Sequence, residues 1–219
     1  MPYKLDLHTH STLSSDGGIT PDQFESLINR RTLDYIAITD HNQINTALTL
    51  HERLGQPIIV GEEIMTSEGE VIGLFLRQHI PPHQSLSATL KAIKAQAGLV
   101  YVPHPADPRR HGLSLNAIRA HRPLIDLIEI FNARRLPSSS NQKVTTFAKT
   151  LNIPGGVGSD AHSFAEIGRT YSLLTAAPTP ETLPHLLTTA THHTHSVTFR
   201  SFFAPSLNRL KKFIVKPVK

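Results

Sequence analysis

The sequence predicts an α/β fold in which strands and helices alternate around a parallel sheet or barrel. Short apolar runs of strand length recur along the chain, amphipathic stretches of helical period separate them, and capping or breaking residues mark the joins. Lys4–His8 reads as a first strand running into His8-Thr9-His10. Thr20-Pro21-Asp22-Gln23 then supplies an N-cap, a proline at the first helical position and a capping-box glutamine. Phe24, Leu27 and Ile28 place an apolar stripe on that helix.

Asp34–Asp40 is a continuous apolar strand, as expected where both faces are covered. A helix follows Asn42, then a strand over Pro57–Gly61 and a hairpin turning at Ser67-Glu68-Gly69. Leu86, Leu90, Ile93 and Ala97 keep helical spacing, and Gly98 breaks that helix before the strand Leu99–Val102. Ile125–Phe131 is a strand, about 138–150 a helix, and Ile153–Gly158 a strand again. No internal repeat and no Pro-, Gly- or Ser-rich linker divides the chain, so 1–219 reads as one domain, with 199–219 a basic amphipathic tail.

Composition narrows the function classes. With 39% hydrophobic and 18% charged residues, the 219-residue chain can bury a core and does not resemble a disordered protein. No apolar run approaches the roughly 20 residues of a spanning helix, and the polar start argues against a signal peptide. The absence of cysteine excludes disulfides and thiolate ligation, and makes the cytoplasm the expected location. Fourteen histidines is a high count, and 22 Lys and Arg against 17 Asp and Glu favours anionic partners. A phosphorylated small molecule is the expected substrate, and nucleic acid stays open.

In a parallel α/β barrel the working residues sit at the C-terminal ends of strands. Here those ends carry His8 and His10, Asp40 and His41, Glu62 and Glu63, His104, Glu129 and Asn132, and Asp160 and His162. Imidazole nitrogen and carboxylate oxygen suit Zn, Mn or Fe, and a carboxylate can bridge two ions. His8 and His10, two apart on an extended segment, aim at one side, and Asp160 and His162 repeat the spacing. Metals close together polarise a phosphoryl group and acidify bound water, so no Ser or Cys nucleophile is needed. Alternation along the strand turns Glu63 away if Glu62 points in.

These residues resemble the PHP (polymerase and histidinol phosphatase) domain family over about Lys4 to Leu174. The likeness rests on Asp6-Leu7-His8-Thr9-His10-Ser11, Thr39-Asp40-His41-Asn42, the Glu62 strand, His104-Pro105 and Gly158-Ser159-Asp160-Ala161-His162. It implies a distorted (β/α)7-type barrel with its metal site at the C-terminal strand ends, two or three divalent metal ions, and phosphoester hydrolysis by a metal-bridging hydroxide. The resemblance puts His8, His10, Glu62 and Asp160 on one metal, and Asp16, His41 and His162 on a second. Glu62 then bridges to a third, completed by His104 and a hairpin residue. Many members carry histidine at that hairpin place; this chain offers Glu70, with Glu68 as fallback. Asp16, as in small bacterial stand-alone members resembling nucleotide phosphatases, replaces a histidine used by others. Asp6 and Asp40 are read as carboxylates that orient the imidazoles.

Arg109, Arg110, Arg134 and Arg135 follow strand ends and could clamp a substrate phosphate, or simply belong to a solvated basic loop. His192, His193 and His195 read as surface residues. The tail mixes Leu207, Leu210, Phe213 and Ile214 with Arg209, Lys211, Lys212 and Lys216. Its apolar side is expected to pack on the barrel, with membrane contact the less favoured option. Amidohydrolase-like C–N hydrolysis is the alternative enzyme reading. Its marker, a carboxylated lysine, has no candidate, since no lysine falls at a predicted strand end. A non-catalytic metal- or nucleic-acid-binding module is the alternative of a different class.

Overall fold

A computed structural model describes residues 2–135 and 139–215. In chain order the elements are β1 (Tyr3–Thr9), α1 (Pro21–Asn29), β2 (Tyr35–Ile38), α2 (Asn45–Leu54), β3 (Ile58–Met65), β4 (Glu70–Leu74), α3 (Leu86–Ala95), β5 (Leu99–Val102) and α4 (Leu115–Ala120). There follow β6 (Leu127–Asn132), α5 (Ser139–Thr150), β7 (Gly155–Gly158), β8 (Tyr171–Leu174), α6 (Leu183–Thr188), β9 (Thr191–His193), α7 (Phe199–Phe202) and α8 (Ala204–Val215). The expected strands and helices up to β7 are all present. The helices α4 and α6 and the strands β8 and β9 were not foreseen.

The strands line up as β7-β6-β5-β4-β3-β2-β1-β8-β9. Most neighbours up to β7 are parallel, but β4 runs antiparallel to both β3 and β5 because a tight hairpin joins it to β3. Thr66 N donates to Gly69 O across that turn, and Gly69 takes φ +137°, which only glycine adopts freely. The start of β1 pairs with β8, antiparallel, over Tyr3–Leu5. Its far end instead meets the segment after β7: Asp160 N donates to His8 O at 2.8 Å, and His10 N donates to Ala161 O at 2.9 Å. These bonds close the sheet into a distorted barrel, as the resemblance implies.

Two apolar clusters follow from strand alternation. Ile58, Val60 and Ile64 of β3 pack with Leu50, Leu90 and Ile93 in the layer between sheet and helices. Ile59, two residues from Gly61 and four from Glu63, faces the other way, toward Leu7, Tyr101 and Leu127. The helices start where their caps dictate. Thr20 Oγ1 accepts from Gln23 N at 3.3 Å while Gln23 Oε1 accepts from Thr20 N at 2.9 Å, which is the capping box the sequence predicts. Ser85 and Ser114 cap α3 and α4 through the same N3 contact.

The tail packs opposite to expectation. The polar side of α8 faces the barrel: Asn208 Nδ2 donates to Asp16 O and His162 O at 2.8 and 2.9 Å, and Lys212 Nζ donates to Thr12 O and Gly17 O at 2.8 Å and to Ser14 O. Leu207, Leu210, Phe213 and Ile214 are exposed. The loop after β1 presents backbone carbonyls that need donors, and the asparagine and lysine satisfy them where leucine cannot.

Candidate metal centre

From within their length β1, β3, β4 and β6 deliver His8, Glu63, Glu70 and Glu129, and the segments after β1, β2, β5 and β7 add His10, His41, His104 and Asp160. At the end of β1 a register shift between Asp6 and Thr9 brings both His8 and His10 into the site. Their Nε2 atoms lie 3.1 Å apart. At the centre stands Glu63, fully buried. One carboxylate oxygen lies 3.3 Å from His8 Nε2, 3.4 Å from His10 Nε2 and 3.1 Å from His41 Nδ1, and the other 2.9 Å from His104 Nε2.

Glu62, expected to bridge, points away. Its carboxylate lies 2.7 Å from His79 Nδ1 and accepts from Ile80 N at 3.0 Å, on the helix-facing side with Val60 and Ile64. Strand phase decides which of the two glutamates turns inward. Both faces of β3 are apolar up to Gly61, so no polar alternation marks which glutamate turns inward.

Around Glu63 the remaining predicted residues converge. Asp160 Oδ1 lies 3.4 Å from His10 Nε2 and 3.8 Å from His8 Nε2. Asp16 Oδ1 lies 3.5 Å from His162 Nε2 and 3.7 Å from His41 Nε2. Glu70, from β4, sits 3.4 Å from His41 and 3.7 Å from His104, whereas Glu68 is exposed at the turn. Four overlapping groups hold their ligand atoms within 4.8 Å of one another: His8, His10 and Glu63; His8, His104 and Asp160; His10, His41 and His162; and His41, Glu63 and Glu70.

The surroundings orient these groups. Glu129 on β6 accepts from the His8 ring at 3.0 Å, from His104 N at 2.6 Å and from Asn132 Nδ2 at 2.9 Å. Asn132 also donates to Asp160 at 2.9 Å. Gly158 packs against this group, and a Cβ there would overlap Glu129 Oε1 and lie 2.7 Å from His8 Cβ. Asp6 and Asp40, expected to orient imidazoles, make no hydrogen bond to a ring themselves, and Asp40 reaches His10 through Ser14. Asp6 accepts from the backbone of His8 and Ser159, and Asp40 bonds Ser11 and Ser14, whose hydroxyl lies 3.2 Å from His10 Nδ1. The sequence marks Glu129 as a strand-end carboxylate without a role; its place beside the His8 ring is a feature of the folded sheet alone. Two of the converging residues, His104 and Asp160, have left-handed backbones at φ 28° and 51°, a conformation that costs about 1–2 kcal/mol outside glycine.

Electrostatics reflect the crowding. Burial opposes charge on His8, but Asp160, Glu63 and Glu129 outweigh it and raise its pKa well above the usual range. His41 rises to about 9 for the same reason, its burial outweighed by Glu63, Glu70 and Asp16. His10, buried and facing His162 and His41, falls to about 3. Despite their burial, Glu63 is held well below the carboxylate range by His8 and His41, and Asp160 by Arg110 and His8.

The donor set fits divalent ions. Asp16 Oδ1, Asp160 Oδ1 and His104 Nδ1 are buried with no hydrogen-bond partner, and the two facing Nε2 atoms of His8 and His10 suit a shared cation.

The cluster opens into a cavity of about 530 Å³ whose lining includes Asp16, His41, Glu70, Arg109, Arg110 and Arg209. Arg110 reaches inward and pairs with Asp160, on a short 3-10 turn, Pro108–Arg110, whose following strand-like contact places Gly112 beside Glu70. Arg209 Nη2 donates to Asp16 Oδ2 at 2.6 Å. The other arginines differ. Arg134, expected as a substrate clamp, touches the cavity wall, and its guanidinium bonds Glu166 at 3.0 Å and the carbonyls of Ser201 and Phe202, so it braces α7. Arg135 is buried, and burial pulls its guanidinium below its ordinary value. Of the late histidines, His192 bonds Ser172 and His195 bonds Arg169, away from the cluster.

Comparison with known proteins agrees with this geometry. Residues 138–186 match the family model described as PHP-associated. The chain is 34% identical over 172 residues to an uncharacterized protein of Methanocaldococcus jannaschii, covering 77% of this chain and 69% of the relative. A second uncharacterized protein of that organism is 36% identical over 143 residues, covering 59% of this chain and 82% of the relative. Among solved structures, a two-domain Bacteroides vulgatus protein containing a "predicted PHP-like metal-dependent phosphoesterase" superposes with a TM-score of 0.71 at 17% identity, over 95% of this chain and 70% of that one. An amidohydrolase from Chromobacterium violaceum, with sulfate bound, reaches 0.59 at 15% identity over 72% and 87%. With the ordered motifs, the clustered His, Asp and Glu side chains and these relatives all in agreement, the chain belongs to the PHP domain family.

Proposed function

We propose that the protein hydrolyses a phosphate ester on a small phosphorylated molecule, a nucleotide or a sugar-phosphate-like metabolite, in a metal-dependent reaction. One observation carries this reading: a buried His, Asp and Glu cluster around Glu63 shares one cavity with the cationic groups of Arg109 and Arg209. Carboxylates, imidazoles and arginines lining one cavity suit a dianion held between cations.

His8, His10, Glu63 and Asp160 would hold one ion, Asp16, His41 and His162 a second, and Glu63, Glu70 and His104 a third. Bound there, divalent ions supply Lewis acidity toward phosphoryl oxygens and lower the pKa of water. The chain's own residues supply orientation and charge. Glu129 fixes the His8 ring, the Ser14–Asp40 pair fixes His10, and Arg209 stands at the mouth with a donor fork suited to phosphate. The cysteine-free composition fits a reducing compartment, and the cytoplasm is the proposed location.

Phosphate release from a panel of nucleotides and sugar phosphates, by protein reconstituted with Mn, Zn or Fe, tests the reading. Turnover of one phosphate-ester class supports it. Metal uptake with hydrolysis of amides only would replace it with C–N hydrolysis, a reading disfavoured by a cavity that no lysine lines among the described residues.

A further inference from the structure

The exposed face of the last two helices has no counterpart elsewhere on the described surface. Leu207, Leu210 and Ile214 follow one another at spacings of three and four, and so share one side of α8; Asn208 and Lys212, four apart, hold the opposite side to the barrel. Exposure of these side chains is high: Phe213 79%, Ile214 71%, Leu210 56% and, at the start of α7, Phe199 83%. Phe202 and Phe203 stack edge to face and continue the patch between the two helices. A contiguous apolar strip of this kind on a soluble surface marks a contact site.

Charge identifies the occupant. From residue 182 onward the sequence holds six Lys and Arg and not one Asp or Glu, leaving sixteen basic against seventeen acidic residues in the rest of the chain. The whole positive balance of the protein therefore lies in this segment. Arg200 and Lys211 are exposed beside the apolar strip. Phe, Leu and Ile on one side with Lys and Arg flanking them is the signature of a helix that lies in the plane of a membrane interface. Two copies pressed face to face would bring two such basic segments together without an acid between them. A nucleic acid would satisfy the lysines and leave the leucines and Ile214 without a partner.

We propose that α7 and α8 dock the protein peripherally on an anionic lipid surface, with Phe199, Phe203, Leu207, Leu210, Phe213 and Ile214 entering the interface and Arg200 and Lys211 meeting lipid phosphates or carboxylates. The inference stands apart from the proposed reaction. Among the described residues no helix is long and apolar enough to cross a membrane, so contact by this segment is interfacial.

The test is co-sedimentation of the full chain with vesicles of phosphatidylcholine alone or containing about one third phosphatidylserine. The expected result is binding to the anionic vesicles roughly tenfold tighter than to the neutral ones, weakening with salt. A Leu210→Ser/Phe213→Ser/Ile214→Ser variant, which alters only exposed side chains, should lose binding at least about tenfold while keeping its far-UV circular dichroism and thermal midpoint. An Arg200→Glu/Lys211→Glu variant should lose the preference for anionic lipid. The proposal is overturned by no vesicle binding, by undiminished binding of the serine variant, or, in place of vesicle binding, by a concentration-dependent dimer that the serine variant abolishes in analytical ultracentrifugation. Binding to single-stranded DNA alone, retained by the serine variant, overturns it in favour of a nucleic-acid contact.

Discussion

Glu62 and Glu63 are consecutive in β3, yet one carboxylate lies against His79 on the helix side and the other sits among His8, His10, His41 and His104. Their neutral variants should therefore separate cleanly. Glu63→Gln is expected to lower metal content and phosphate release by at least roughly 100-fold, the upper end of what loss of an outer-shell partner alone costs. Glu62→Gln should keep its metals and lose only about 1–2 kcal/mol of stability, from a weakened buried hydrogen-bond pair. Mass-spectrometric metal analysis beside a denaturant titration checks both.

Glu129 touches no more than the edge of the cluster, but it holds the His8 ring, the His104 backbone and Asn132 together. Glu129→Gln should weaken metal affinity about 10–100-fold. Gly158→Ala, which drives a methyl into the same carboxylate, should reproduce much of that loss without touching any ligand. Competition titrations with a metal indicator distinguish these effects from a folding defect, since circular dichroism should be unchanged in Glu129→Gln.

The arginines should divide by role. Arg209→Ala removes a donor at the cavity mouth together with the partner of Asp16, and at saturating metal is expected to raise KM for a phosphate ester about tenfold with kcat little changed, the pattern of lost uniform binding. Arg134→Ala leaves Glu166 buried and unpaired, and should cost about 3–5 kcal/mol of stability. Steady-state kinetics and urea melts on the two variants would show opposite patterns.

Metal should stabilise the fold as well as serve the reaction, because its ligands come together only in the native state. A free metal concentration 100 times Kd contributes about 2.7 kcal/mol, or about 5–11 °C in thermal midpoint for a chain of this size. Chelation should reverse the shift, and Glu63→Gln should show a much smaller one. Differential scanning calorimetry with and without EDTA reads all three.

Much of this site was legible from spacing alone. His8 with His10, and Asp160 with His162, stand two residues apart at strand ends, and the structure brings all four into one cluster with His41, His104, Asp16 and Glu70. What spacing could not supply was phase. β3 is apolar on both faces, so Ile58 to Val60 gives no clue that Glu63 shares the inner side with Ile59. The tail was misjudged for a related reason. Periodicity shows that Leu207, Leu210 and Ile214 share a side, but the carbonyls of Thr12, Ser14, Gly17 and His162, which decide the opposite side's fate, come from loops far away in sequence. Arg110 was visible as a basic residue after a strand; its pairing with Asp160 depends on a turn whose course only the folded chain defines.

The joint between β1 and the segment after β7 ties the site to the order of folding. His8 and Asp160 are bonded backbone to backbone as well as through the cluster, and more than 150 residues separate the two strands at this seam. Contacts of such separation form late, since the intervening loop must be closed before they repay its entropy. A chain emerging from the ribosome thus carries His8, His10, His41 and Glu63 long before their partners exist. Metal-binding competence should return in the slowest refolding phase, together with barrel closure, because the same few residues make both.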